Sequence, residues 1–451
     1  MFAMTTIANS LRGLCGGAIH LPGDPGYDTA RMPWNVAVDQ RPAAVAFPAD
    51  AAEVAEVVRA ARAAGLRVAP QGTGHNAGPL GPLDDVVLLR TSAMTAVTVD
   101  PARRTARAEA GALWIDVVEQ TAPHGLAALH GSSPDVGVVG YSLGGGIGWY
   151  ARQHGLQTNS LTAIELVTAG GELVRATADT EADLFWALRG GGGNFGVVTA
   201  VEFDLFPIAT AHAGWLVWDW REAARVLPAW AEWAVAAPDH VTTAARLLQI
   251  PPMPQIPEVF RNRQLLVVDG AVLGDPAVLA PLRALKPEMD TFADVPAPSL
   301  SRLHMDPEGP TPAVGAAAML GDLDGAAFDA LLGAAGPGSG TSLLVAAELR
   351  QLGGALGRPA PRHGALPRLD ATFALFTCGI AATPEMAAAS HADTRRVVEA
   401  LRPWANGREY LNFAETKVDT SRAFDPATWR RLQDVRRAAD PDGLFVANHV
   451  I

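Results

Sequence analysis

The chain has 451 residues, 49% of them hydrophobic and 18% charged, which is enough apolar material for more than one buried core. Lys and Arg total 35 against 47 Asp and Glu, so the formal net charge is −12. Because an acidic surface repels phosphate backbones and anionic lipid, we expect neither a nucleic acid nor a membrane as partner.

The cysteine count and the N-terminus predict a cytoplasmic location. The two cysteines, Cys15 and Cys378, are too few to stabilise a chain of this length by disulfide bonds, and so low a count is typical of a reducing compartment. Residues 1–20 are interrupted by polar residues and glycines, unlike a secretory signal. The sequence contains no run of about 18 apolar residues, so we expect no membrane span.

The first half of the chain alternates between strand-like and helix-like segments. Asp50 is a candidate N-cap for a helix at 52–64, which Gly65 ends, and a second helix is predicted at 113–121. Short apolar runs predict strands at 44–47, 66–69, 86–89, 97–99, 105–108, 161–168, 173–176 and 197–203. The alternation indicates an α+β fold that opens with a strand–helix–strand crossover.

The composition changes near Pro207 and again near Trp404. The segment between them contains five tryptophans whose spacing favours helix and sheet core over an aromatic cage: Trp215, Trp218, Trp220, Trp230 and Trp233. Strands are predicted at 267–273 and 343–349, and helices at 326–335 and 384–401. A last helix is predicted at 426–438.

Three glycine-rich segments, each adjoining a predicted strand, suggest a bound diphosphate. They read QGTGHNAG at 71–78, GVVGYSLGGGIG at 137–148 and GGGGNFGVVT at 190–199. Glycines let the backbone approach a ligand closely, although one such loop alone is more often a simple turn. Neither Rossmann spacing nor a P-loop is present, so the segments leave the ligand undecided.

The motifs and their order resemble the vanillyl-alcohol-oxidase-type flavoproteins, most closely the berberine-bridge-enzyme-like branch. The similarity covers nearly the whole chain. In chain order the motifs are Arg41-Pro42, Gly72-Thr73-Gly74-His75, Pro134-Asp135-Val136-Gly137 leading into Gly144-Gly145-Gly146, DLFWALRGGGGNFG at 183–196, Tyr410-Leu411-Asn412-Phe413, Arg431-Leu432, and DPDGLF at 440–445 followed by Asn448.

The resemblance implies an FAD-dependent enzyme of α+β class. It implies a two-subdomain FAD-binding domain of the PCMH type at 1–206 and a substrate domain at 207–405, an antiparallel sheet backed by helices. A segment at 406–451 is expected to return to the FAD domain. The expected reaction oxidises an alcohol, amine or related C–H group of a small organic molecule by hydride transfer to the flavin, with O₂ as acceptor and H₂O₂ as product.

Two alternatives remain open at this stage, a dehydrogenase with another electron acceptor and a non-redox protein that keeps the flavin scaffold. A homodimer is also possible on the sequence alone, and the sequence does not identify the substrate.

The resemblance also implies the cofactor contacts. His75 matches the histidine that carries FAD through its 8α carbon, whereas Ser133 stands where many relatives have a second, cysteinyl attachment, so we expect a single bond. Val136 matches a position that gates oxygen access, and Tyr141 replaces a histidine common among relatives. The remaining implied contacts are Gln71, Gly72, Thr73, Gly74, Asn76, Gly78, Gly137, Gly140, Gly144, Gly145, Gly148, Gly196, Val198, Asn412 and Asn448.

Hydride transfer needs a group that takes the accompanying proton, and two positions are candidates. Tyr410 is one, provided that a positive neighbour lowers its pKa. Glu348 is the other, on a strand that also carries Arg350 and Gln351, although Glu348 and Arg350 could equally form a surface ion pair.

Three histidines are weaker candidates. His130 is a less certain member of the flavin pocket, and His304 and His363 are each expected to be solvent-exposed. No cluster in the sequence has the spacing of metal ligands, so no metal is invoked.

Overall fold

The computed structural model describes residues 9–252, 254, 256–341 and 344–451. Residues 1–8 of the N-terminal segment and Leu343 of the predicted strand at 343–349 therefore lie outside the described residues. Strands and helices are numbered here in chain order, beginning with the short helix α1 (Tyr27–Ala30).

The first sheet is mostly parallel. Its strands are β1 (Ile19–His20), β2 (Ala44–Ala46), β3 (Arg67–Gln71) and β4 (Val86–Arg90), in the spatial order β1-β2-β4-β3. Strands β2, β3 and β4 run parallel, as a crossover through α2 (Ala51–Ala63) requires. The Asp50 carboxylate caps α2 by accepting hydrogen bonds from the amides of Ala52 and Glu53, both at 2.9 Å.

The second sheet is antiparallel and packs against the same core. Its strands are β5 (Val97–Asp100), β6 (Thr105–Glu109), β7 (Leu161–Val167), β8 (Leu173–Ala176) and β9 (Val197–Asp204), in the order β5-β6-β9-β7-β8. The helices of this part are α3 (Trp114–Thr121), α4 (Val138–Leu143), α5 (Ala151–His154) and α6 (Ala182–Gly191). The glycine-rich segments 137–148 and 190–199 therefore run along α4 and from α6 into β9.

The third sheet is a large antiparallel sheet. Its strands are β10 (Thr210–Asp219), β11 (Val241–Gln249), β12 (Gln264–Val272), β13 (Met289–Asp290), β14 (Ala293–Pro296), β15 (Ala313–Leu320), β16 (Leu344–Gln351) and β17 (Phe373–Ile380). The main path runs β13-β10-β12-β11-β16-β17-β15, with β14 paired to β10. The helices are α7 (Ala223–Ala236), α8 (Ala280–Arg283), α9 (Gly325–Ala335) and α10 (Pro384–Ala400).

The two faces of the third sheet differ in chemistry because side chains alternate along each strand. One face packs Leu216, Val268, Leu349 and Leu375 into an apolar core with α7, α9 and α10. The opposite face carries charged side chains from β11, β12 and β16, which the register places side by side. Only this second face is available for chemistry.

The C-terminal segment returns to the first sheet. Phe445 forms a parallel bridge with Val68 of β3, and the Val68 amide donates to the Leu444 carbonyl at 2.8 Å. Helix α11 (Pro426–Ala439) packs on α6, and Arg431 of α11 pairs with Asp183 at 2.8 Å.

The α+β class with an antiparallel sheet and covering helices is confirmed. Every strand and helix predicted from the sequence is present within a few residues of its expected bounds. The predicted core role of the tryptophans is confirmed for Trp218 and Trp230, which are fully buried. Within the described residues, no helix is long and apolar enough to cross a membrane.

Candidate functional site

His75 lies in the loop that follows β3, where Thr73 contacts the edge of its ring and Trp34 contacts one face. Thr73 Oγ1 is 2.7 Å from His75 Nδ1, and the imidazole stacks on Trp34 with ring centroids 4.0 Å apart. His75 Nε2 is buried without a hydrogen-bond partner and lies 3.5 Å from Asp135 Oδ1. The ring is therefore oriented, with Nε2 as its free nitrogen.

Asp135 is the carboxylate that organises this corner of the site. It accepts hydrogen bonds at 2.7 Å from the Trp34 indole and the Gly309 amide, and Ser133 Oγ donates to it at 3.1 Å. Burial raises the pKa of Asp135, but His75, Gly309 and Trp34 lower it more, so the pKa falls well below the usual range. Asp135 is thus a fixed anion beside His75 Nε2.

The glycines of the site fall into two groups. A Cβ added at Gly144 would overlap Asn412, one at Gly148 would overlap the His130 carbonyl, and one at Gly145 would lie 2.9 Å from Tyr410. These three glycines allow chain segments to pack together. By contrast, an added Cβ at Gly140 would meet nothing within 4 Å.

Gly72 and Gly137 are intermediate, since an added Cβ would make only ordinary van der Waals contact, with no atom closer than 3.7 Å at either position. Gly74 and Gly78 belong with the packed group: the first faces Pro33 at 2.7 Å with φ +84°, and the second would overlap the Glu415 carbonyl. Gly196 is likewise packed, 2.8 Å from Leu166, and the neighbouring Val198 is buried in β9.

Several buried polar atoms without partners lie in the glycine-rich segments or beside them. Buried polar groups in proteins are nearly always hydrogen-bonded, so such a concentration indicates a missing polar ligand. Besides His75 Nε2, the atoms in or next to the glycine-rich segments are Gln71 Oε1, Asn76 Oδ1, Ser142 Oγ, Gln157 Nε2, Thr158 Oγ1 and Thr199 Oγ1. Further unpartnered atoms in the same part of the molecule are Gln40 Nε2, Arg90 Nε, Trp114 Nε1, Trp149 Nε1 and His449 Nε2. Most of these donors and acceptors are uncharged and fit the hydroxyl, amide and ring groups of FAD.

The C-terminal segment closes over these loops. Asn448 Nδ2 donates to the Asn76 carbonyl, and Asn76 Nδ2 donates to the Leu411 carbonyl at 3.3 Å. Asn412 Nδ2 donates to the Tyr141 carbonyl at 2.9 Å, which brings the Tyr-x-Asn motif against the second glycine segment.

Tyr410 is fully inside the protein, and its hydroxyl oxygen faces two donors. The Gly146 amide donates to it at 2.9 Å and Asn412 Nδ2 at 3.3 Å. Burial raises the pKa of Tyr410 far more than these donors and Arg350 lower it. The lowered pKa that a proton-accepting tyrosine requires is therefore not met in the protein alone.

Tyr141 already has partners within the protein. Its hydroxyl donates to the Leu129 carbonyl at 3.1 Å, and its ring stands edge-on to Trp114 at 5.2 Å. Because its one proton is used by Leu129, Tyr141 can offer a ligand only an acceptor lone pair.

Five charged side chains on the open face of the third sheet form a continuous buried chain. Arg246 Nη2 lies 2.7 Å from Asp269 Oδ2, and that oxygen lies 2.7 Å from His304 Nδ1. His304 Nε2 is 3.2 Å from Glu348 Oε2, and Arg350 Nε donates to Glu348 Oε1 at 2.6 Å. We call these residues the charge chain.

Two sequence expectations are wrong at the charge chain. His304 is 4% exposed rather than solvent-exposed, because its loop inserts between Trp149 and the sheet. Glu348, also 4% exposed, is no surface ion-pair residue. Burial raises the pKa of Glu348, but Arg350 and His304 lower it well below the usual range. A carboxylate held so firmly ionised is a poor proton acceptor.

The other candidates occupy different surroundings. Gln351 points to the helix-covered face, where its side chain donates to the Ala234 carbonyl at 2.5 Å, so it lies outside the site. His130 is buried, with Nδ1 2.7 Å from the Gly131 carbonyl oxygen. His363 is exposed, as expected. Val136 is partly buried just before α4.

Sequence reasoning missed several residues of the site. Asp269, Arg246 and Trp34 carried no recognisable motif. Glu415 lies three residues after Asn412 in the C-terminal segment, and burial raises its pKa to about 7. Arg246 was a usable signal, because it is the one charged residue of an otherwise uncharged strand. A lone arginine on a buried strand needs a partner.

Comparison with known proteins agrees with this geometry. Residues 42–177 match the FAD binding domain family. Over 203 residues the chain is 36% identical to (R)-6-hydroxynicotine oxidase of Paenarthrobacter nicotinovorans. The aligned region covers 45% of this chain and 44% of that protein. The chain thus aligns with less than half the length of this curated relative.

Solved structures share the fold over nearly the whole chain. 6-hydroxy-D-nicotine oxidase from Arthrobacter nicotinovorans superposes with a TM-score of 0.80 at 24% identity, covering 95% of this chain and 96% of that one. Glucooligosaccharide oxidase from Acremonium strictum, described as carrying a 6-S-cysteinyl, 8α-N1-histidyl FAD, gives 0.80 at 21% identity, covering 100% and 99%. At these identities the likeness establishes the fold.

Proposed function

We propose that this chain, whose residues 42–177 match the FAD binding domain family, belongs to the vanillyl-alcohol-oxidase-type flavoproteins and is an oxidase of small organic molecules that uses O₂. The observation that carries the proposal is the group of unpartnered buried polar atoms around His75, enclosed by the Tyr-x-Asn segment and facing a charged sheet. Bound FAD supplies the hydride acceptor and a route for the electrons to O₂, with H₂O₂ as product.

Tyr410 is the proposed proton acceptor. The Gly146 amide and Asn412 both direct donors at its oxygen and favour a phenolate, but burial outweighs them in the protein alone, so the proposal requires that bound flavin and substrate lower the pKa of Tyr410. Arg350 is the positive neighbour that favours the same state. Glu348 is assigned a different role from the one expected, since it anchors Arg350 and stays ionised.

His75 is the proposed point of covalent attachment, through Nε2. Thr73 engages Nδ1 and leaves Nε2 without a hydrogen bond, and the Asp135 carboxylate lies 3.5 Å from Nε2 and helps to orient the ring. Ser133 cannot form the cysteinyl bond named for the glucooligosaccharide oxidase, and its hydroxyl is already directed to Asp135. A single attachment follows.

The proposal is tested by a peroxide-coupled screen of alcohols and amines with the purified yellow protein. At least one compound should give hydrogen peroxide in proportion to oxygen consumed, and Tyr410→Phe should reduce that turnover by about 10²- to 10⁴-fold while keeping the flavin spectrum. Turnover that needs an added electron acceptor and leaves oxygen unconsumed would instead identify a dehydrogenase.

A further inference from the structure

The protonation state of His304 follows from geometry alone. Both ring nitrogens face carboxylate oxygens, Asp269 at 2.7 Å and Glu348 at 3.2 Å, so both must carry a proton. The charge chain then consists of three cations and two anions, and it is left with one net positive charge. The two carboxylates lie between cations, so the excess resides on the terminal arginines, Arg246 and Arg350.

The two terminal arginines differ in their surroundings, and Arg246 keeps a buried Nε without a hydrogen-bond partner. Arg246 donates to the His304 carbonyl at 2.9 Å and lies over the Trp215 ring at 5.1 Å. Arg350 uses only Nε, toward Glu348, and neither Nη atom has an acceptor among the residues that the structure describes. Its side chain is 11% exposed. The side chain of Arg350 is mostly buried, but its Nη atoms are not fully enclosed by protein, so the unused half of the guanidinium is open to an acceptor from a ligand.

The free end of Arg350 points toward the reaction site. Its guanidinium lies 5.4 Å above the centroid of the Phe413 ring, and Phe413 contacts Tyr410 at 5.0 Å and Phe376 at 5.3 Å between ring centroids. The planar guanidinium of Arg350 beside these aromatic rings matches a ligand that has a carboxylate attached to a flat, apolar group.

We propose that Arg350 is the specificity-determining residue of this site, that it binds a carboxylate of the substrate, and that Asp269, His304 and Glu348 hold it in position. This inference rests on the proposed function, because it assigns the substrates of that oxidase to the class of organic acids. The other charged groups facing Arg350 are Asp306, whose carboxylate accepts a 3.4 Å hydrogen bond from Ser132, and Asp269. Neither makes a direct contact with the guanidinium.

The test uses benzoate and its neutral isostere benzamide, neither of which needs to be oxidised. Binding to the holoenzyme is measured by isothermal titration calorimetry and by perturbation of the flavin absorbance. Charge-assisted hydrogen bonds to arginine predict that benzoate binds about 10- to 100-fold more tightly than benzamide. Arg350→Met should remove this preference, and Arg350→Lys, which keeps the charge but not the fork, should retain part of it.

Arg402→Met is the matched control, because Arg402 is an exposed arginine paired only with Glu399 within one turn, and its loss should leave both affinities unchanged. Equal affinity of the wild-type protein for benzoate and benzamide would overturn the inference, even if Arg350→Met failed to fold. So would a benzoate preference that survives in Arg350→Met. Both results are separate from the proposed function, since oxygen consumption is measured in a different assay.

Discussion

His304→Gln should change how the stability of the protein depends on pH. Burial and Arg246 lower the pKa of His304, but Asp269, Asp306 and Glu348 raise it to about 9, against about 6.5 for an unfolded histidine. A raised folded-state pKa contributes stability that is fully present below pH 6.5 and is lost as pH rises through about 9. At 1.36 kcal/mol for each unit of pKa, this contribution is on the order of 3 kcal/mol.

Urea unfolding followed by tryptophan fluorescence measures the effect. Between pH 6 and pH 9 the free energy of unfolding of the wild-type protein should fall toward that of His304→Gln, because glutamine carries no titrating charge at this position. The comparison of the two proteins is internally controlled, because both contain all the other histidines and their contribution cancels in the difference. Two curves that stay parallel across this range would refute the doubly protonated His304 on which the charge chain depends.

Three further predictions concern the flavin site. His75→Ala should give an acid precipitate that is colourless, with FAD in the supernatant, whereas the wild-type precipitate should stay yellow; a yellow variant would place the bond elsewhere. Gly144→Ala should lower the free energy of unfolding by about 3 kcal/mol, because the new Cβ overlaps Asn412, while Gly325→Ala, with open space at the start of α9, should not destabilise the protein. Tyr410→Phe should reduce kcat by about 10²- to 10⁴-fold with FAD content unchanged, and a smaller loss would remove Tyr410 as proton acceptor.

Local signals in the sequence predicted much of the fold. Asp50 predicted the start of its helix because aspartate is a favoured N-cap residue. The apolar runs that form β4, β7 and β9 are short, buried and bounded by polar or glycine residues. Strand β15 was missed because it is rich in alanine, which carries little strand signal. Strands β10, β11 and β17 were missed as well.

The charge chain could not be predicted because its contacts are non-local. His304 reaches Asp269 across 35 residues and Glu348 across 44, and neither spacing corresponds to a helix or a hairpin. The same holds for His75 and Asp135, which motifs identified separately but only the fold brings to 3.5 Å. Gln351 was grouped with Glu348 from its position in sequence, yet strand alternation directs it to the opposite face.

Stopped-flow reoxidation shows whether the reduced flavin of this protein returns its electrons to oxygen. The holoenzyme is photoreduced without air and mixed with oxygenated buffer while the flavin absorbance is followed. We expect full reoxidation within seconds and one hydrogen peroxide for each flavin. Reoxidation that takes minutes would contradict the assignment as an oxidase.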